Sequence, residues 1–145
     1  MDVAEKAPIV VGVDGSESAT GALRYAARLA ERLGNPIRVV STWDLPALVD
    51  YREGHGWDME SIAGEILESS LDAVFGDQRP PGLTSSVRPG PPAAALIDES
   101  RGAELLVLGS RGRGGFVGLL LGSVSATCAA HAHCPVLIAR DSADQ

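Results

Sequence analysis

Aromatic side chains are scarce, at 4% of the chain. The core must therefore be assembled from Ala, Val, Leu and Ile, which pack densely without large rings. Cysteine is scarcer still. Cys128 and Cys134 are the only two, and neither has the CxxC or Cys/His spacing of a zinc site. Read as small core or near-core thiols, they fit a reducing cytoplasm. No stretch approaches the roughly 18 uninterrupted apolar residues of a membrane span. The start, MDVAEKAPIVVGVDGS, lacks the basic residues and apolar run of a signal peptide. A cytoplasmic protein without a membrane partner is expected. Positive charge is short as well: 12 Lys and Arg against 19 Asp and Glu leave a net charge of −7. The acids are scattered, so they read as a solvated surface, and no nucleic-acid partner is expected.

What is present is an alternation of short apolar runs and helical periodicity. A chain of 145 residues with 45% apolar content suits one domain spanning 1–145, with flexible ends at 1–7 and 141–145. Ile9 to Val13 is apolar throughout, the mark of a central parallel strand. Ser16 or Ser18 can cap a following helix, whose inward positions are Ala19, Ala22, Leu23, Ala26, Leu29, Ala30 and Leu33. Gly34 and Asn35-Pro36 stop it. A second strand follows from Ile37 to Trp43, then a loop over 44–58, then a helix over Met59–Phe75 with Ile62, Ala63, Ile66, Leu67 and Val74 inward. Leu83–Val87 reads as a strand near a sheet edge, Ala93–Ser100 as a helix entered through prolines, and Leu105–Leu108 as an apolar strand. A helix over Ser123–His131 and a strand over Pro135–Ala139 complete the pattern. Strict strand–helix alternation predicts an α/β fold with a mostly parallel sheet covered by helices on both faces.

The stretch GSRGRGGFVGLLLGS, Gly109 to Ser123, stands out for bare backbone and positive charge. In an open parallel sheet, ligands bind beyond the carboxyl ends of strands where strand order reverses. This loop leaves such an end, and so does Asp14. Gly109 would let the chain turn sharply, and Gly112, Gly114 and Gly115 would let a ligand approach the backbone amides. Gly122-Ser123 opens a helix whose first amides lack partners, a ready anion site. Ser123 and Ser125 can add hydroxyl donors, and Arg111 and Arg113 add charge suited to phosphate. The P-loop pattern GxxxxGK[ST] is absent, and GxGxxG fails because Val117 stands where the last glycine belongs. His131 and His133, two residues apart, are poor metal geometry on a helix, and no metal site is expected.

The spacing Gly109-x2-Gly112-x9-Gly122-Ser123 resembles the G-2x-G-9x-G-[S/T] pattern of the ATP-binding branch of the universal stress proteins. IVVGVDGSESATGALRYAARLA, AELLVLGSRGRGGFVGLLLGSVS and HCPVLIAR resemble that family's first strand and helix, its fourth strand and loop, and its last strand. The resemblance implies a Rossmann-like sheet of the adenine nucleotide alpha hydrolase type, five parallel strands in the order 3-2-1-4-5. It also implies a nucleotide site. Gly12, Val13 and Asp14 would meet the adenosine, with Asp14 near the ribose, and Thr42 would line the adenine pocket. Leu108 and Gly109 would run along base and ribose. Gly112, Gly122, Ser123 and Val124 would hold the phosphates, with Arg111 and Arg113 beside them. Many relatives have proline where this chain has Gly12, so more room is expected there. The implied ligand is ATP with Mg2+, or another adenine nucleotide such as AMP or cyclic AMP, in a stress-response regulator. No catalytic lysine or base stands in the loop, so at most weak, incidental hydrolysis is expected. Val136, Leu137 and Ile138 of the last strand form an apolar edge through which a homodimer is expected.

Overall fold

The computed structural model describes residues 6–44, 55–111 and 121–140. Nine elements follow in strict alternation: β1 (Ile9–Val13), α1 (Glu17–Leu33), β2 (Ile37–Trp43), α2 (His55–Phe75), β3 (Thr84–Pro89), α3 (Pro92–Glu99), β4 (Leu105–Gly109), α4 (Ser123–His131) and β5 (Val136–Ala139). The strands form one sheet in the order β3-β2-β1-β4-β5, all pairs parallel. The expected order therefore holds. So do the edge positions of the third and last strands.

Each element follows from its residues. β1 is buried along its whole length, because both of its faces are covered. Burying one such Val or Ile contributes on the order of 1.5–3 kcal/mol. Of the two candidate caps, Ser16 is the one used at α1: its hydroxyl accepts the N–H of Ala19 at 3.1 Å. Gly34 ends α1 with φ +75°, an angle that favours glycine, and its N–H returns to the Ala30 carbonyl at 2.7 Å.

Alternation along the strands divides the core in two. Ile9, Val11, Val13, Val39 and Val107 pack under α1 and α2 with Ala22, Leu23, Ala26, Leu67 and Leu71. Val10, Val40, Leu106 and Leu108 pack under α3 and α4 with Leu96 and Cys128. Burial raises the Cys128 thiol to about 11, so it is a neutral, inert core group at ordinary pH. The edge strand β3 is fastened to α3 by Arg88, which meets Asp98 at 2.9 Å and Glu99 at 3.1 Å. Arg38 of β2 reaches the same Glu99 at 3.2 Å.

Four details depart from the sequence reading. α2 begins at His55, inside the expected loop 44–58. Ile62 is 49% exposed and Leu33 45% exposed, where both were expected inward. Lys6 and Ala7, expected in a flexible end, are tied to the turn after α1: the Lys6 ammonium donates to the Leu33 carbonyl at 2.5 Å, and the Asn35 amide donates to the Ala7 carbonyl at 2.8 Å. The rest of both expected flexible ends lies outside the described residues.

Candidate functional site

β1 and β4 are neighbours, and α1 and α4 start beyond their carboxyl ends. This is the point where chain order reverses across the sheet, the natural ligand position in an open α/β fold. The two-sided core fixes which side chains meet there. Val10 and Val40 belong to the α3/α4 face. By the two-residue period of a strand, Gly12 and Thr42 belong to that face too, together with Leu108. Val13 belongs to the opposite face, buried with α1 and α2, so toward a ligand it offers backbone alone. Thr42 is half-buried and stands in register with Arg88 of β3.

Asp14, half-buried at the end of β1, accepts both the backbone N–H of Ser16 at 2.9 Å and its hydroxyl at 2.6 Å. The same Ser16 hydroxyl caps α1, so the carboxylate is anchored to a helix start. Gly15 between them has φ +86°. This turn is what the Asp-Gly pair in the sequence signalled.

Gly12 makes no extra room. A Cβ built there would lie 2.9 Å from Leu96 Cδ1 and 3.1 Å from Leu108 Cδ2. The space left by the missing side chain is filled by α3, which corrects the expectation of a wider pocket. Gly109 also acts differently from expectation. It is the last residue of β4, in register with Ala139, and does not make the sharp turn. A Cβ there would collide with the Ser18 hydroxyl and lie 2.7 Å from its carbonyl carbon and oxygen. Gly109 is needed because α1 crosses β4 at backbone contact.

The residues flanking the glycine loop are held firmly. Ser110 donates its N–H to Ala139 at 3.1 Å and accepts that of Gly122 at 2.7 Å. The half-buried Arg111 donates its N–H to the Ser18 hydroxyl at 3.2 Å. Gly112 and Arg113 lie outside the described residues. Beyond them, Gly122 is the N-cap of α4, with φ −70° and ψ 166° and no side-chain cap bond. Its own N–H is committed to Ser110, so a ligand at this helix start would meet the amides of Ser123 and Val124. The first turn of α4 carries no acid, and the helix dipole favours an anion there. Ser123 is exposed and Val124 half-buried. Ser125 points inward instead of toward the opening: its hydroxyl donates to the Gly109 carbonyl at 2.6 Å.

Ser18, Ser110 and Ser125 are the residues that sequence reasoning undervalued. All three are buried polar side chains. A serine read as an optional cap or as a hydroxyl donor gives no hint that it bonds across elements. Among the described residues, no group of three or more His, Cys, Asp or Glu is placed to hold a metal ion, and no helix is long and apolar enough to cross a membrane.

The fold and the position of this site are of the Rossmann-like α/β class. Within it, the sequence profile of the Universal stress protein family matches residues 7–140, and the chain belongs to that family. Universal stress protein Rv2623 of Mycobacterium tuberculosis is 37% identical over 142 residues, a match covering 95% of this chain and 46% of that protein. The chain thus spans about half the length of the curated relatives it matches. Among solved structures, the universal stress protein UspA from Lactobacillus plantarum superposes with a TM-score of 0.75 at 22% identity, over 94% of this chain and 99% of that one. An Arabidopsis thaliana family member with AMP bound gives 0.62 at 20% identity, over 95% and 94%. A universal stress protein in complex with cAMP gives 0.59 at 22% identity, over 94% and 98%.

Proposed function

We propose that this protein binds ATP at the carboxyl ends of β1 and β4 and acts as a nucleotide-dependent regulator in the cytoplasm. The observation that carries the reading is the bare N-terminus of α4, lacking acid and side-chain cap, facing the same sheet end as Asp14. The complete glycine spacing from Gly109 to Ser123 joins the two. In this reading Asp14 takes the ribose, and Gly12, Thr42 and Leu108 form the base side. The amides of Ser123 and Val124 and the Ser123 hydroxyl take phosphate, with Arg111 adding charge. Support for an adenine ligand comes from the two neighbours described with AMP and cAMP.

Magnesium fits this arrangement only as a companion of the nucleotide. It keeps most of its waters and is bound chiefly through phosphate oxygens; with Asp14 given to the ribose, the exposed Ser123 hydroxyl would hold it through water. When bound, the ion would neutralise phosphate charge. Phosphoryl transfer further requires a group that positions the nucleophile, and the described site offers Asp14 already bonded to Ser16. Binding without turnover is the reading that follows.

Calorimetric titration with Mg-ATP, with AMP and cyclic AMP as competitors, tests it. A dissociation constant near 1 μM, about −8 kcal/mol, is expected, with no phosphate release in proportion to protein. Stoichiometric binding of AMP or cyclic AMP with no ATP binding would move the reading to that nucleotide. Steady phosphate release would make the protein an enzyme. No heat from any nucleotide, in folded and nucleotide-free protein, would overturn it.

The half-buried residues Val136, Leu137 and Ile138 belong to the edge strand β5. An apolar edge favours pairing with another chain, and we assign it to a second copy. Light scattering should then report twice the 15.0 kDa chain mass. A monomer at micromolar concentration would refute the assignment.

A further inference from the structure

Two buried serine hydroxyls do something that their own helices do not require. α1 is capped by Ser16, so the Ser18 hydroxyl is not needed for capping; it accepts the N–H of Arg111, 93 residues away. Ser18 is 7% exposed. Among the described residues no side chain caps α4, yet Ser125, inside its first turn and 5% exposed, sends its hydroxyl to the Gly109 carbonyl at 2.6 Å. The first bond joins the start of α1 to Arg111, two residues past the end of β4, and the second joins the start of α4 to Gly109, the last residue of β4. With the Asp14–Ser16 pair they make a continuous route: end of β1 to start of α1, start of α1 to just past the end of β4, end of β4 to start of α4.

We infer that Ser18 and Ser125 are positioning residues of the nucleotide site, fixing the amides at the start of α4 relative to Asp14 and so setting the reach from ribose to phosphate. The inference rests on the nucleotide-binding reading above. A short charge-assisted bond from an amide to phosphate depends steeply on placement. A buried hydroxyl bonded across elements limits how far one helix start can slide against the strand end. The contacts that hold the adenosine part lie on the sheet, at β1, β2 and β4, and not on α4. Loosening such a bond should therefore cost the phosphates and spare the nucleoside.

The test compares Ser125→Ala and Ser18→Ala with the conservative Ser125→Thr. Thr127→Ala serves as control, because the exposed Thr127 hydroxyl bonds only within α4, to the Ser123 carbonyl. Each protein is titrated with ATP, AMP and adenosine, and its thermal transition is recorded. Ser125→Ala should weaken ATP and AMP by about tenfold, the scale of one lost hydrogen bond, with adenosine unchanged. Ser125→Thr should restore phosphate affinity, and Thr127→Ala should leave all three ligands as in wild type. Serines with a purely structural role would lower the melting temperature and keep the wild-type ratio of ATP to adenosine affinity; that ratio, unmoved in both alanine variants, would overturn the inference. Should Ser125→Ala fail to fold, the ratio in Ser18→Ala decides alone. Wild type that binds no adenine nucleotide would bring down the reading and the inference together. Wild type that prefers ATP to adenosine, with variants that keep the preference, would leave the reading standing and sink the inference alone.

Discussion

Gly109→Ala should lower the free energy of unfolding by about 3 kcal/mol or more, a large part of the ~5–15 kcal/mol that holds a domain together. The added Cβ would meet the carbonyl carbon and oxygen of Ser18 at 2.7 Å, as well as its hydroxyl. The first two are backbone atoms of a helix that also packs on β1 and β4, so no rotamer change relieves the contact. Either α1 lifts from the sheet, exposing part of the core around Ala22 and Leu23, or β4 bends at its end. Overpacking of this kind ordinarily costs 1–3 kcal/mol, roughly, where side chains can yield; here they cannot. A fall of roughly 10 °C in melting temperature is the corresponding readout for a domain near this size. Gly12→Ala is the matched comparison. Its nearest neighbours are the Leu96 and Leu108 methyl groups, at 2.9 Å or more, and side-chain ends can move. Its loss should stay near 1 kcal/mol. Gly21→Ala, on the exposed side of α1 with nothing within 4 Å of the new Cβ, should stabilise by about 0.5–1 kcal/mol through helix propensity. Equal behaviour of Gly109 and Gly12 in chemical denaturation would refute the backbone-contact account.

These glycines show where the sequence was legible and where it was not. That β1 is central could be read from its unbroken apolar run, and the end of α1 could be read from Gly34 and Pro36, because both signals are local. The role of Gly109 could not, because the atom it avoids belongs to Ser18, 91 positions away on another element. The strand order was likewise beyond hydrophobic periodicity, which finds strands without arranging them; it came from the resemblance carried by the glycine spacing. In α2, periodicity put Ile62 inward. The buried stripe instead runs through Ala63, Leu67, Ser70 and Leu71. A hydropathy reading passes over Ser70, yet its hydroxyl is satisfied by the Ile66 carbonyl at 2.8 Å, so it can be buried while Ile62 faces out. Gly56 misled in the same way: glycine beside histidine and tryptophan reads as loop, and α2 runs through it. The element ends that carry Asp14, Leu108 and Gly122 were legible, because apolar runs and helix starts are local signals. The hydrogen bonds that orient them were not, because a serine's partner is set by tertiary contact.

Gly122 offers the sharpest separation of stability from binding. Its φ of −70° and ψ of 166° are open to any residue, so backbone conformation does not demand glycine. As an N-cap, glycine is less effective than Asp, which stabilises helix starts by a few tenths of a kcal/mol more by accepting an orphan N–H with its side chain. A sequence optimised for stability alone would carry such a cap at α4; among the described residues no side chain caps it. Gly122→Asp should therefore melt at or slightly above the wild-type temperature. Its carboxylate would sit on the very amides proposed for phosphate, and repel phosphate besides. Nucleotide affinity should fall at least a hundredfold, about 2.7 kcal/mol. Gly122→Val should lose binding as well, by bulk at the same helix start, with a stability loss of about 1 kcal/mol, because valine is a poor N-cap. Adenosine is the internal control: it lacks the charged group, so the Asp variant should reduce its affinity far less than that of ATP. Undiminished ATP binding by both variants would remove the start of α4 from the site. Loss of ATP binding in a variant that melts no lower than wild type would show that the missing cap is kept for the ligand.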